Sequence, residues 1–101
     1  MIIVSQDKTR IFNFNNITEL FIGYADENKK RSIRCQKVNE TYEEFGIYET
    51  EERAKEVLNA IGAYYGLCEI YKYGKQSDRE QINNYAAERG IEPFIFPMPE
   101  E

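Results

Sequence analysis

The chain changes its hydrophobic period near the middle. Up to about residue 48, apolar and polar positions alternate in short runs broken by polar turns. After residue 50 the apolar positions recur every three to four residues. The first pattern predicts strands and the second predicts helices. Met1 to Gln6 is the first strand, and Asp7-Lys8 makes a hairpin turn before Thr9 to Phe14. Asn15-Asn16 supplies the next turn, because asparagine tolerates left-handed backbone angles. Ile17 to Tyr24 is the third strand; Leu20-Phe21-Ile22 is apolar on both faces, which predicts a central place in the sheet. Ala25 to Lys30 is a charged loop, Arg31 to Val38 the fourth strand, Asn39 to Glu43 a polar turn and Phe45 to Tyr48 the fifth strand. On the fourth strand Ile33 and Cys35 point to one face, and Ser32, Arg34 and Gln36 to the other.

Thr50 is a helix cap, with Glu51 and Glu52 in the first turn where the helix dipole favours anions. Ala54, Val57, Leu58, Ile61 and Tyr65 share the face expected to lie across the sheet. Gly62 and Gly66 weaken this helix, and Gly66 is a good stop. Leu67 to Tyr73 reads equally as an alternating strand or as more helix. Ser77-Asp78-Arg79-Glu80 is a capping box for a second helix, which runs to about Arg89 and ends at Gly90. Ile82, Tyr85, Ala86 and Arg89 share one of its faces. Pro93 and Pro97 make Ile91 to Phe96 extended, and Pro97 to Glu101 reads as a tail. The expected fold is α+β. An N-terminal antiparallel β-meander of about five strands is packed by one amphipathic helix, followed by a second helix and a short C-terminal strand. Residues 1–101 fit a single domain.

Composition narrows the chemistry. No apolar run is long enough to span a membrane, and the N-terminus lacks the basic-then-apolar pattern of a secretory signal, so a cytoplasmic protein is expected. The net charge of −5 disfavours direct binding to phosphate backbones. An acidic surface keeps a domain soluble, and it also suits a basic groove on another protein. Cys35 and Cys68 follow no metal or redox spacing and read as free, buried thiols.

The chain contains no histidine, which removes the commonest general base and metal ligand. No Ser–His or Cys–His pair can form, and a zinc site would need carboxylates alone. The six glycines are scattered, with no phosphate-binding loop among them. Binding without catalysis, and without cofactor or metal, is therefore the expectation. The alternative is a small carboxylate- or metal-dependent enzyme, with Glu43 and Glu44 as candidates for a carboxylate pair doing acid–base work.

Eight tyrosines against no tryptophan supply rings that suit interfaces and base stacking. Lys29, Lys30, Arg31, Arg34 and Lys37 form the densest basic stretch, and an arginine fork holds a phosphate with two parallel bonds. The candidate ligand- or partner-binding residues are Arg31, Arg34, Tyr64, Tyr71, Tyr73 and Arg89. The same tyrosines would also line a core or a self-association surface. The basic stretch would also serve as a solvated loop with an edge-strand charge. Phe94, Ile95, Phe96 and Met98 form an apolar segment suited to a sheet edge, in its own chain or in a neighbour's. A domain this small gains from self-association, so a homo-oligomer is expected.

Three stretches carry a resemblance. They are Met1-Ile2-Ile3-Val4-Ser5-Gln6-Asp7-Lys8, then Phe45 through Leu58, then Met98-Pro99-Glu100-Glu101. They resemble small uncharacterised proteins carried by phages and prophages of low-GC Gram-positive bacteria. The match transfers no functional residue. The resemblance implies a context in which small proteins act as stoichiometric inhibitors of bacterial immunity. One kind looks like sponges that sequester a cyclic nucleotide signal, as against Thoeris. Another is the anti-CRISPR class that blocks a Cas nuclease. A phage assembly or regulatory module with only protein partners is the third reading.

Overall fold

The computed structural model describes residues 1–24, 30–37, 42–90 and 94–101, and its fold is α+β. The elements are β1 (Ile2–Val4), β2 (Ile11–Asn13), a 3₁₀ turn (Phe14–Asn16), β3 (Ile17–Tyr24), β4 (Arg31–Lys37), β5 (Tyr42–Tyr48), α1 (Glu51–Tyr73), α2 (Gln76–Glu88) and β6 (Ile95–Pro97). The five N-terminal strands are present and antiparallel, and they divide between two three-stranded sheets, ordered β2-β1-β6 and β3-β4-β5. The 3₁₀ turn ends the first hairpin and redirects the chain into the second sheet. β6 returns from the far end of the sequence to lie parallel to β1. The apolar C-terminal segment thus completes a sheet of its own chain. The predicted loop and turn at 25–29 and 38–41, and the extended stretch at 91–93, lie outside the described residues.

Position in the second sheet corrects one expectation. β4, not β3, is central, and its Ser32, Ile33 and Cys35 are fully buried. β3 lies at an edge although it is apolar on both faces.

Thr50 caps α1 by accepting the Arg53 N–H at 3.1 Å. Ala54, Val57, Ile61, Tyr64 and Cys68 form its buried stripe. Tyr64 thus takes the core place expected of Tyr65, which is 37% exposed with its ring 4.9 Å from that of Phe14. The helix does not stop at Gly66. The stripe continues through Cys68, so burial outweighs the ~1 kcal/mol that each glycine costs a helix. Residues 67–73 are therefore helical, and the end comes at Gly74, whose N–H bonds the Ile70 carbonyl. α2 starts two residues before the position that the Ser77 box predicts for its first turn. Lys75 is the cap residue, and the Asp78 carboxylate accepts its N–H at 3.0 Å. Gly90, at φ +65°, ends α2 as expected.

The expected tail is docked. The Met98 N–H bonds the Val4 carbonyl at 3.0 Å, and the Met98 side chain is buried. Tyr48 donates its hydroxyl to the Pro99 carbonyl at 2.9 Å, and Arg53 reaches Glu101. One apolar cluster runs from Met1 and Ile3 through Ile33, Phe45 and Tyr48 to Ile61, Phe96 and Met98, so both sheets and α1 share a core. Among the described residues no helix is long and apolar enough to cross a membrane.

Candidate functional site

The two arginines singled out by the sequence sit on opposite faces of β4, yet both arrive at Tyr24. Tyr24 closes β3 and pairs in register with Arg31, the first residue of β4. The Arg31 guanidinium lies 4.2 Å from the centre of the Tyr24 ring. Arg34 approaches from the other face, across Gly23, where the Arg34 Cδ would be only 3.4 Å from an added Cβ. It donates from Nη2 to the Tyr24 carbonyl at 2.9 Å, and its Nε lies 3.6 Å from Glu44 on β5. Lys30 adds a third cation next in the chain and pairs with Glu49 at 3.4 Å. The result is an aromatic ring, 70% exposed, with one guanidinium stacked on it and a second held at the backbone carbonyl of the same residue. That arrangement can stack a planar group and neutralise an anion. The Arg34–Glu44 pair is exposed and weak, so an incoming anion displaces it at little cost.

The other predicted residues fall elsewhere. Tyr64 is buried, its ring 5.7 Å from that of Phe96, and burial pushes its phenol pKa up. Tyr71 meets Phe94 edge-on at 5.0 Å, and its carbonyl accepts from Arg79 at 3.0 Å. Tyr73 is 81% exposed at the end of α1. Arg89 stacks on Tyr85 at 3.6 Å at the end of α2. So the structure gathers Arg31 and Arg34 at the end of a sheet, sets Tyr64 and Tyr71 under the C-terminal segment, and leaves Tyr73 and Arg89 at the ends of two helices. The Cys35 and Cys68 thiols are free and buried, and burial pushes both pKa values up.

Sequence reasoning missed Tyr24 and named Glu44 only for the carboxylate-enzyme alternative. Antiparallel pairing of β3 with β4 places Tyr24 opposite Arg31, so the register carried that signal. Compared with protein-family models, with curated proteins and with solved structures, the chain matches none.

A second polar place lies where the sheets meet. A pocket of about 200 Å³ is lined by Gln6, Asp7, Arg10, Glu44, Phe45, Gly46 and Ile47. Arg10 binds Glu43 and the Glu44 carbonyl, both at 2.7 Å. Asp7 is the pivot of the β1–β2 turn. It accepts from the Thr9 hydroxyl at 2.7 Å, the Ser5 hydroxyl at 2.7 Å and the Thr9 N–H at 3.0 Å. These donors, the Thr9 hydroxyl first, lower its pKa from 3.8 to about 2. The folded state thus prefers the ionised form. Its contribution is fully present above pH 3.8 and is lost as the pH falls toward about 2. Urea midpoints measured across that window should fall with acid in the wild type, and Asp7→Ala should flatten the slope.

Proposed function

We propose that the protein acts by stoichiometric binding, as an anti-defence protein of the phage type that sequesters an anionic nucleotide signal in the host cytoplasm. The observation that carries this reading is the exposed Tyr24 ring with Arg31 stacked on it and Arg34 held at the Tyr24 carbonyl. A cyclic nucleotide offers a base to stack on such a ring and a phosphate for a guanidinium fork. The resemblance of the N-terminal, central and C-terminal stretches to phage-borne proteins supports the setting. The absence of histidine from the sequence supports holding over turnover. The carboxylate-enzyme alternative needs convergent metal ligands. Among the described residues, no three Cys, Asp or Glu side chains group closely enough to hold one ion.

Thermal unfolding in the presence of a panel of cyclic mono- and dinucleotides tests the proposal. One of them at 100 times its dissociation constant is expected to add about 2.7 kcal/mol, which is roughly 10 °C or more for a domain of this size. Arg34→Ala should abolish that shift while lowering the ligand-free midpoint only slightly, since the exposed pair it breaks contributes about 0–1 kcal/mol. If no nucleotide moves the midpoint, the sequestration reading fails. Tight co-purification with a Cas nuclease would then favour the nuclease-blocking mode, and a virion protein would favour an assembly role.

A further inference from the structure

Among the described residues, three of the four sheet edges are closed off, and the fourth is not. The outer side of β5 is occupied by Gln6. The Gln6 backbone N–H bonds the Phe45 carbonyl at 2.8 Å, its Oε1 accepts the Ile47 N–H at 2.6 Å, and its Nε2 donates to the Ile47 carbonyl at 2.9 Å. β6 ends in Pro97, which has no N–H to offer. β2 is three residues long and follows a charged Arg10. Short strands, prolines and charges are the usual means of keeping an edge from pairing.

β3 is guarded least, by one charge and by a register shift between Ile17 and Glu19 near its start. It is eight residues long, contains no Lys, Arg or Pro, and carries a single charge, Glu19. Among the described residues its ladder is to β4 alone, and none of its eight positions is buried. Leu20 and Ile22 already pack at the rim of the core, while Phe21 lies on the opposite face against Tyr42 at 5.9 Å. A strand apolar on both faces is the composition of a sheet interior. Here it is found at an edge, so its sequence and its place disagree within one chain.

We infer that β3 pairs with β3 of a second copy, antiparallel about a two-fold axis, to form a continuous six-stranded sheet. A two-fold perpendicular to the sheet keeps each face on its own side, so both α1 helices cover the same face. Centred on Phe21, the pairing sets Leu20 against the partner's Ile22 and Glu19 against the partner's Gly23. The Leu20–Ile22 rim of each core then meets its counterpart, and one apolar layer runs across the seam. No like charges face each other, and the unpaired backbone groups of both edges are satisfied at once. The inference does not rest on the nucleotide reading and requires no ligand.

Light scattering of the purified, ligand-free protein is expected to give twice the 11.9 kDa chain mass. Phe21→Lys places two ammonium groups face to face on the axis, and it should give the single-chain mass with an unchanged far-ultraviolet spectrum. Phe21→Cys gives an independent readout should that variant fail to fold. Directly opposed strand positions lie within disulfide reach, so mild oxidation should yield a covalent dimer while the buried Cys35 and Cys68 stay reduced. A wild type that is monomeric across the micromolar range would overturn the inference. So would a dimer in which Phe21→Cys fails to cross-link.

Discussion

Tyr48→Ala is expected to lower the free energy of unfolding by about 4 kcal/mol, in the range for removing a large ring from a core. Tyr48 ends β5, pairs with Arg31, and is 2% exposed inside the cluster shared by both sheets and α1. Small domains have net stabilities of about 5–15 kcal/mol, so this one side chain carries a large share. Its hydroxyl does a separate job by holding Pro99, and with it the docked C-terminus, at 2.9 Å. Tyr48→Phe keeps the ring and removes only that bond, so a loss of about 1 kcal/mol is expected. Urea unfolding of the two variants at neutral pH separates the contributions. Equal losses would mean that the ring is not packed as described.

The same residue sets an alkaline limit. Burial pushes the Tyr48 phenol from an ordinary value of 10 up to about 12, and the nearby Arg53 opposes this only in part. The folded state therefore favours the protonated phenol. That contribution is intact below pH 10 and is lost as the pH rises through 12. Tyr48→Phe should shallow the fall in stability across this window. The Tyr64 and Tyr65 phenols, also raised, act in the same direction.

Gly46→Ala is expected to cost about 2–3 kcal/mol, through crowding and lost hydrogen bonds together. The reason is space and not backbone angle. A Cβ at this position would lie 2.9 Å from the Gln6 Cβ and 3.0 Å from its Oε1. Gln6 cannot withdraw cheaply. Its side chain accepts from the Ile47 N–H and donates to the Ile47 and Glu100 carbonyls, so it ties β5, the β1 end and the C-terminus at one point. Gln6→Ala should be destabilising by a similar route. The double variant should lose less than the sum of the two singles, since both act on one junction. Hydrogen exchange at the Ile47 amide gives the local readout: its protection should fall in either variant. A cost under about 1 kcal/mol for Gly46→Ala would show that the seam has slack.

Much of the local structure was legible in the order of residues. The 3–4 spacing of Ala54, Val57 and Ile61, the Thr50 cap and the Gly90 stop describe events within a few residues of chain, where sequence and geometry are directly coupled. Boundaries were less legible. The alternation over Leu67 to Tyr73 gave no sign that Cys68 would extend the buried stripe of α1, because that depends on what lies opposite. Ser77 offered a good box, but the chain capped α2 with Asp78 on Lys75, two residues earlier. For the candidate site, Arg31 and Arg34 were visible as charges. Their meeting at Tyr24 was not, since it needs a cross-strand register and a glycine at position 23 for Arg34 to pass.

Residue order alone determined the succession of strands and then helices, most of the buried face of α1 and the want of an imidazole, because periodicity and composition act over a turn or two of backbone. The tertiary structure decided which strand is central and which lies at the edge. It also decided that Pro97 to Glu101 is anchored, and that two arginines from opposite faces share one tyrosine. These outcomes depend on contacts between residues dozens of positions apart. The free energy of each is set by what surrounds it in space, which the local pattern does not encode.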